Sequence, residues 1–313
     1  MSAPTAASPP DTQTTDSWYP METKTFSGPL LVATDGSTAG QAAFIAASLI
    51  APKLSSSIDV LVVVEPLPVV LPDPSIIAEP LVASPALLDT IREGIVGQVR
   101  ALAKPGLDWR VVVEYGRPSS EIVDEARENH AQLIVIGLVH HGVMDRILDG
   151  DTALDVVRHS QAPVLLASSD WKKLPKIAVF AVDFSRQSMV AARAGLRILD
   201  EGATVILAHV RPAPTVYDGM GMWELEYEEV AKKELRKFEE ALNAPPGIRI
   251  VSTLLRGSAP AALLALADTT GSDLVVAGTR GAGLIQRLLI GSVATRLIRH
   301  STRSLLIVPD KEK

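Results

Sequence analysis

An internal repeat is the feature of this chain that most constrains its fold. Residues 132–167 pair without a gap with residues 273–308. The identical pairs include Gly137 with Gly278, Gly142 with Gly283, Arg146 with Arg287, Gly150 with Gly291, and Ala153 with Ala294. The starts of the two halves match as well, because Thr34-Asp35-Gly-Ser37 corresponds to Val182-Asp183-Phe-Ser185. We therefore predict a tandem duplication with domains at 28–170 and 171–313.

Within each half, short apolar segments alternate with segments of helical periodicity. In the second half we predict strands over 177–182, 203–210, 248–255, 273–277 and 304–308, and helices over 187–199, 223–242, 259–267 and 291–299. Alternation of this kind predicts right-handed crossovers and parallel strands. A content of 47% hydrophobic but only 4% aromatic residues suits buried parallel strands covered by helices. The predicted class is α/β, with two tandem doubly wound, five-stranded parallel-sheet domains of Rossmann-like type.

Composition excludes several classes of function. The chain has no Cys, which rules out disulfides and thiolate metal sites. Its net charge of −6 argues against nucleic-acid binding, and no apolar run reaches the roughly 20 residues of a membrane span. Residues 1–27 are rich in Ser, Thr, Pro and Ala and contain no signal-peptide core, so we expect a disordered tail. We expect a cytoplasmic protein.

A glycine-rich stretch after the fourth strand of the second half is the candidate functional site. It reads Gly278-Thr279-Arg280-Gly281, and Gly291-Ser292 follows before the last helix. Glycines allow close approach to an anion, and the helix N-terminus offers free N–H groups. This arrangement predicts phosphate binding, although a tight turn with a helix cap explains the same residues. Neither a P-loop nor a Rossmann fingerprint is present.

The spacing Gly-x2-Gly-x9-Gly-Ser, with an Asp after the first strand, resembles the ATP-binding signature of universal stress proteins. The resemblance covers both halves and implies a strand order of 3-2-1-4-5. It also implies that Asp183 and Val182 lie near the ribose and adenine and that the backbone of Val210 contacts adenine. The remaining expected nucleotide-binding residues are Gly278, Thr279, Arg280, Gly281, Gly291, Ser292 and Val293. The family further implies a stress-response sensor or regulator and pairing of the two halves through their last strands, with a homodimer as an alternative assembly.

The corresponding stretch of the first half differs in the residues that matter most. His140 stands where the second glycine is expected, and Asp151 replaces the final Ser. Residues 274–309 contain five Arg and no acidic residue, whereas residues 133–168 contain two Arg and four Asp. An Asp carboxylate about 4 Å from a phosphate costs roughly 1–4 kcal/mol, depending on the local dielectric. We predict a nucleotide-free first half and one ATP in the second. The sequence leaves open whether Mg²⁺, which a triphosphate usually brings, accompanies the ATP.

Three alternatives remain open at this point. Asp183 is also explained as a cap of the following helix, Ser185 as a turn or cap residue, and His209 as a hydrogen-bonded residue of the core. A metal site at His140 and His141 is disfavoured because no further ligand spacing supports it. No residue set predicts a catalytic site, so at most slow ATP hydrolysis or self-phosphorylation is expected. A nucleotide-free scaffold that binds a protein or an apolar ligand is the competing function.

Overall fold

The computed structural model describes residues 28–66, 84–138, 146–211, 222–280 and 290–310. The predicted tail at 1–27 lies outside these residues, as do His140, His141 and Gly281. The side chain of Asp151 is likewise outside the described part. The predictions made for these residues therefore stay predictions.

Five strands and four helices alternate along the first half. They are β1 (Leu30–Ala33), α1 (Thr38–Leu54), β2 (Ile58–Val64), α2 (Pro85–Leu102), β3 (Trp109–Tyr115), α3 (Pro118–Glu128), β4 (Leu133–Gly137), α4 (Arg146–His159) and β5 (Val164–Ala167). The second half repeats the order. Its elements are β6 (Ile177–Ala181), α5 (Arg186–Leu196), β7 (Thr204–Arg211), α6 (Met222–Leu242), β8 (Arg249–Arg256), α7 (Ala259–Thr270), β9 (Leu274–Gly278), α8 (Ser292–His300) and β10 (Ser304–Val308).

Strand pairing gives the same topology in both halves. The order is β3-β2-β1-β4-β5 in the first and β8-β7-β6-β9-β10 in the second. In the first half β1 pairs in parallel with β2 and β4, and in the second β6 pairs in parallel with β7 and β9. The predicted α/β class and the strand order 3-2-1-4-5 are confirmed. The order reverses beside the first strand of each half, and such a reversal opens a crevice at the carboxyl ends of the strands.

Local sequence explains where the elements lie and end. In α7, Pro260 lies in the first turn, where a missing N–H is tolerated, and Gly271 ends the helix in a left-handed conformation with φ of 62°. The inner strand β1 is buried along its whole length, and β9 is buried except at its last residue, because helices cover both faces of a doubly wound sheet. The edge strand β8 has several exposed residues.

The described residues divide into two compact units. One is built from Pro175–Leu297 with Leu306–Asp310, and the other from the first half with Ile298–Leu305. The candidate site of the second half lies wholly within the former unit. In the described part of the chain, no helix is long and apolar enough to cross a membrane.

Candidate functional site

A hydrogen-bonded turn after β6 positions the predicted Asp. The Oδ1 atom of Asp183 accepts hydrogen bonds from the backbone N–H of Ser185 at 3.1 Å and from its hydroxyl at 2.5 Å. The Ser185 hydroxyl oxygen in turn accepts a hydrogen bond from Ser188 N–H at 3.1 Å and caps α5. The alternative that Asp183 is the helix cap is therefore wrong, and the carboxylate is oriented by the cap residue instead.

The segment after β9 is held by the end of β10. The N–H of Thr279 donates to the Val308 carbonyl at 2.9 Å, and the Thr279 carbonyl accepts from Gly291 N–H at 2.7 Å. The latter bond brings the start of α8 beside the end of β9. Arg280 lies here too, with its Nη1 atom 3.3 Å from a carboxylate oxygen of Asp310. A cation and a helix N-terminus thus lie together at the carboxyl end of the sheet.

These segments surround one cavity of about 260 Å³. Nine of the ten residues predicted to bind nucleotide line it: Val182, Asp183, Val210, Gly278, Thr279, Arg280, Gly291, Ser292 and Val293. The tenth, Gly281, lies outside the described residues. The structure therefore brings the predicted set together at one place, in the crevice beside the first strand where ligands of such sheets bind.

The cavity has an apolar part and a polar part. Apolar residues come from the ends of β6, β7 and β9 and from α7 and α8, and they are Ala181, Val182, Ala208, Val210, Ala259, Leu263, Ala277, Val293 and Ala294. Among the described residues on its wall, Asp183 is the acidic one and Arg280 the permanently cationic one. Sequence reasoning missed the contribution of α7, because the residues that this helix adds to the wall, Ala259 and Leu263, carry no glycine or charge signal.

A polar cluster that begins at the cavity wall with His209 was not predicted as part of the site. His209 is buried, and its Nδ1 lies 2.7 Å from the Val182 carbonyl oxygen and its Nε2 2.9 Å from the Tyr227 hydroxyl. Its ring centroid lies 4.3 Å from that of Phe184, and the guanidinium of the buried Arg211 lies 5.8 Å from the Tyr227 ring. Desolvation lowers the pKa of His209 and raises that of Tyr227. His209 is hydrogen-bonded as expected, but it also lines the cavity.

The first half has the same turn with different surroundings. Asp35 Oδ1 accepts from Ser37 N–H at 2.9 Å, and Ser37 caps α1. Gly36 has φ of 81° where Phe184 has φ of 63°. Since Ala33 pairs with Leu61 as Ala181 pairs with Ala208, the counterpart of His209 is Val62.

Metal binding by protein side chains alone finds no support in the part of the chain that the structure describes. No group of three or more His, Asp or Glu side chains there is arranged to hold an ion. The pair His140 and His141 lies outside that part. A divalent cation at this site would depend mainly on the phosphates of a ligand.

Comparison with known proteins relates both halves to one family. The model of the universal stress protein family matches twice, over residues 28–168 and 175–309. A universal stress protein of Methanocaldococcus jannaschii is 28% identical over 151 residues, which cover 45% of this chain and 86% of that protein. A crystal structure of a universal stress protein from Archaeoglobus fulgidus covers 92% of this chain and 99% of its own, at 21% identity and a TM-score of 0.62. At this level of identity, the similarity to the Archaeoglobus fulgidus structure shows a shared fold.

Proposed function

Because this chain belongs to the universal stress protein family, we propose that its second half binds one ATP molecule and that the protein acts as a nucleotide-dependent sensor or regulator. Family membership, which the sequence predicted, gives the protein a stress-response role. The observation that carries the proposal is the single cavity lined by nine of the predicted residues.

The apolar part of the cavity suits a purine base. Val182, Val210 and Leu263 offer apolar contact, and the backbone at the end of β7 offers polar groups beside it. The volume of about 260 Å³ lies just below the range for small-molecule pockets, roughly 300–1,000 Å³. A base and part of the ribose fill such a space, and the phosphates then extend past Thr279 and Arg280.

The polar part suits the ribose and the phosphates. Asp183 has its carboxylate oriented by Ser185, which suits a hydrogen bond to a ribose hydroxyl. Ser292 is exposed at the first turn of α8, where the helix dipole favours anions. Arg280 adds a permanent positive charge on the same wall. Phosphates held here would bring their own Mg²⁺.

The test is calorimetric titration of the full chain with ATP, with and without Mg²⁺. We expect one ATP per chain, and we expect the double variant Gly281→His with Ser292→Asp to lose binding while it unfolds at the temperature of the wild type. Absence of heat and of thermal stabilisation at millimolar ATP would favour the nucleotide-free scaffold instead.

The duplicated turn supplies a matched control. Asp183→Asn removes the charge on the cavity wall, and Asp35→Asn makes the same change at the equivalent turn of the first half. Only the former is expected to weaken ATP binding, by about tenfold for one lost charged hydrogen bond. Equal loss in both variants would contradict the assignment of the nucleotide to the second half.

A further inference from the structure

His209 lies on the cavity wall, and both of its ring nitrogens are hydrogen-bonded to groups of the surrounding protein. Nδ1 lies 2.7 Å from the Val182 carbonyl oxygen, and Nε2 lies 2.9 Å from the hydroxyl of Tyr227 on α6. Val182 directly precedes Asp183. The imidazole therefore joins helix α6 to the backbone from which the ribose-facing carboxylate projects.

Hydrogen-bonding chemistry fixes the tautomer of this ring. A carbonyl oxygen only accepts, so Nδ1 carries the proton and donates it to Val182. In the neutral ring Nε2 is then an acceptor, and the Tyr227 hydroxyl donates to it. Burial lowers the pKa of His209, which favours this neutral form. The ring is held at both ends and cannot flip without breaking two hydrogen bonds.

The backbone above the ring is in a conformation that needs support. Phe184 has φ of 63°, a left-handed conformation that is uncommon for a bulky residue. Its ring is buried, with its centroid 4.3 Å from that of His209. Packing of Phe184 on the imidazole, together with the bond to Val182, opposes relaxation of the turn.

The internal repeat shows that the same turn does not require this support when glycine occupies the left-handed position. In the first half Gly36 adopts the left-handed conformation without a side chain, and Val62 stands in place of His209. Asp35 nevertheless makes the same bond to the Ser at the helix cap. The ring cluster is therefore specific to the half whose phosphate-binding glycines and Ser are intact.

We propose that His209 is a positioning residue of the nucleotide site: its imidazole holds the turn Val182–Ser185 so that Asp183 stays on the cavity wall, and Tyr227 fixes the imidazole. The proposal rests on the proposed function for the role of Asp183 toward ATP. The restraint of the turn by His209 does not depend on ATP. The restraint and its effect on ATP binding are therefore tested separately.

The first measurement is amide hydrogen exchange of Ser185, whose N–H donates to Asp183. His209→Val installs the residue of the first half and is expected to speed exchange at Ser185 by about tenfold, the worth of one hydrogen bond. His209→Asn retains an amide nitrogen near the position of Nδ1 and is expected to restore slow exchange. Tyr227→Phe should give an intermediate rate. Unchanged exchange at Ser185 in His209→Val would overturn the proposal.

The second measurement is ATP affinity in the same variants and in Val205→Ala, a control at a buried β7 position that lies outside the cavity lining. We expect about three- to tenfold weaker binding in His209→Val, near-normal binding in His209→Asn and in the control, and no further loss when His209→Val is added to Asp183→Asn.

If the losses in affinity of His209→Val and Asp183→Asn added fully in the double variant, His209 would not act through Asp183, and the proposal would be overturned. Equal acceleration of exchange throughout β7 would likewise assign His209 a purely structural role. If exchange at Ser185 is fast in His209→Val but the wild type binds no ATP, the restraint of the turn is supported and the proposed function is rejected.

Discussion

The turns after β1 and β6 have nearly the same backbone and different surroundings. In both, an Asp accepts a hydrogen bond from the backbone of a Ser two residues later, and that Ser caps the following helix. In both, the residue between them is left-handed. The first turn uses Gly36, and the second uses Phe184 packed on His209. The duplicated sequence has thus kept a backbone geometry while the side chains behind it have changed, so an intact Asp by itself does not predict the surroundings of the turn.

The ends of β4 and β9 extend the comparison. Gly137 lies against the Ala39 backbone at the start of α1, whereas Gly278 lies against the Gln187 side chain at the start of α5. Gln187 Nε2 donates to the Val308 carbonyl at 2.7 Å. The first half therefore closes this position with main chain, and the second closes it with a side chain that is hydrogen-bonded to the end of β10.

The largest expected effect is a loss of ATP affinity when Ser292 of α8 is replaced by Asp, the residue at the matching position of the first half. Ser292→Asp places a carboxylate where we propose phosphates bind, and a like charge about 4 Å away costs roughly 1–4 kcal/mol, or about fivefold to a thousandfold in affinity. An acidic residue in the first turn of a helix is itself favourable, so thermal stability should stay level or rise. Calorimetry and a melting curve check the two parts. Normal ATP binding in this variant would remove α8 from the site.

Matched glycine substitutions come next in size. Gly137→Ala drives a Cβ into the backbone of Ala39, and such overpacking typically costs about 1–3 kcal/mol. Gly278→Ala brings its Cβ 2.7 Å from Gln187 Cγ, a clash with one side chain instead of with main chain, so its cost in stability should be smaller. Urea unfolding of both variants measures the difference. Equal losses would mean that Gln187 is as immobile as main chain.

Gly36→Ala tests the left-handed position where no ring supports it. A left-handed residue with a side chain costs roughly 1–2 kcal/mol, and the new Cβ would lie 3.2 Å from the Ile95 Cδ1 atom. We expect a loss of about 1 kcal/mol in unfolding free energy, which corresponds to a few degrees in melting temperature. The Asp35 bond to Ser37 should survive. A neutral result would show that the turn tolerates side chains freely, and it would weaken the argument that Phe184 requires His209.

The sequence predicted the fold well because alternating apolar segments and the repeat both constrain it. The strand predicted at 304–308 matches β10, and the one predicted at 273–277 differs from β9 by one residue at each end. The residues of the cavity wall could be predicted to lie together, because the carboxyl ends of parallel strands meet at the same edge of a sheet. The ring cluster did not follow, because Tyr227 lies 18 residues from His209 and meets it only when α6 packs. A bulky Phe184 also argues against the left-handed conformation that the turn requires.

The smallest expected effect is a pH dependence of the unfolding free energy that arises from His209 in the second half and has no equivalent at Val62 in the first. Burial lowers the folded-state pKa of His209 below its ordinary 6.5, so the unfolded chain binds a proton first as the pH falls. This residue therefore contributes a loss of stability that begins near pH 6.5 and levels off below its folded pKa. The effect is limited, because a protonated ring still donates from Nδ1 to Val182 and can donate from Nε2 to the Tyr227 oxygen.

Urea unfolding of the wild type and of His209→Asn at pH 7.5 and pH 5.5 isolates this contribution. Asn does not titrate and keeps a donor for Val182, so the variant should lose less stability between the two pH values than the wild type. Val62→Asn is the control at the matched position of the first half, and it should retain the full pH dependence of the wild type. If His209→Asn and Val62→Asn showed the same dependence, the pKa of His209 would not be lowered in the folded protein, and the assignment of a desolvated, neutral imidazole would be wrong. The hydrogen bond from Nδ1 to Val182 would survive that outcome, because a protonated ring also donates to a carbonyl oxygen.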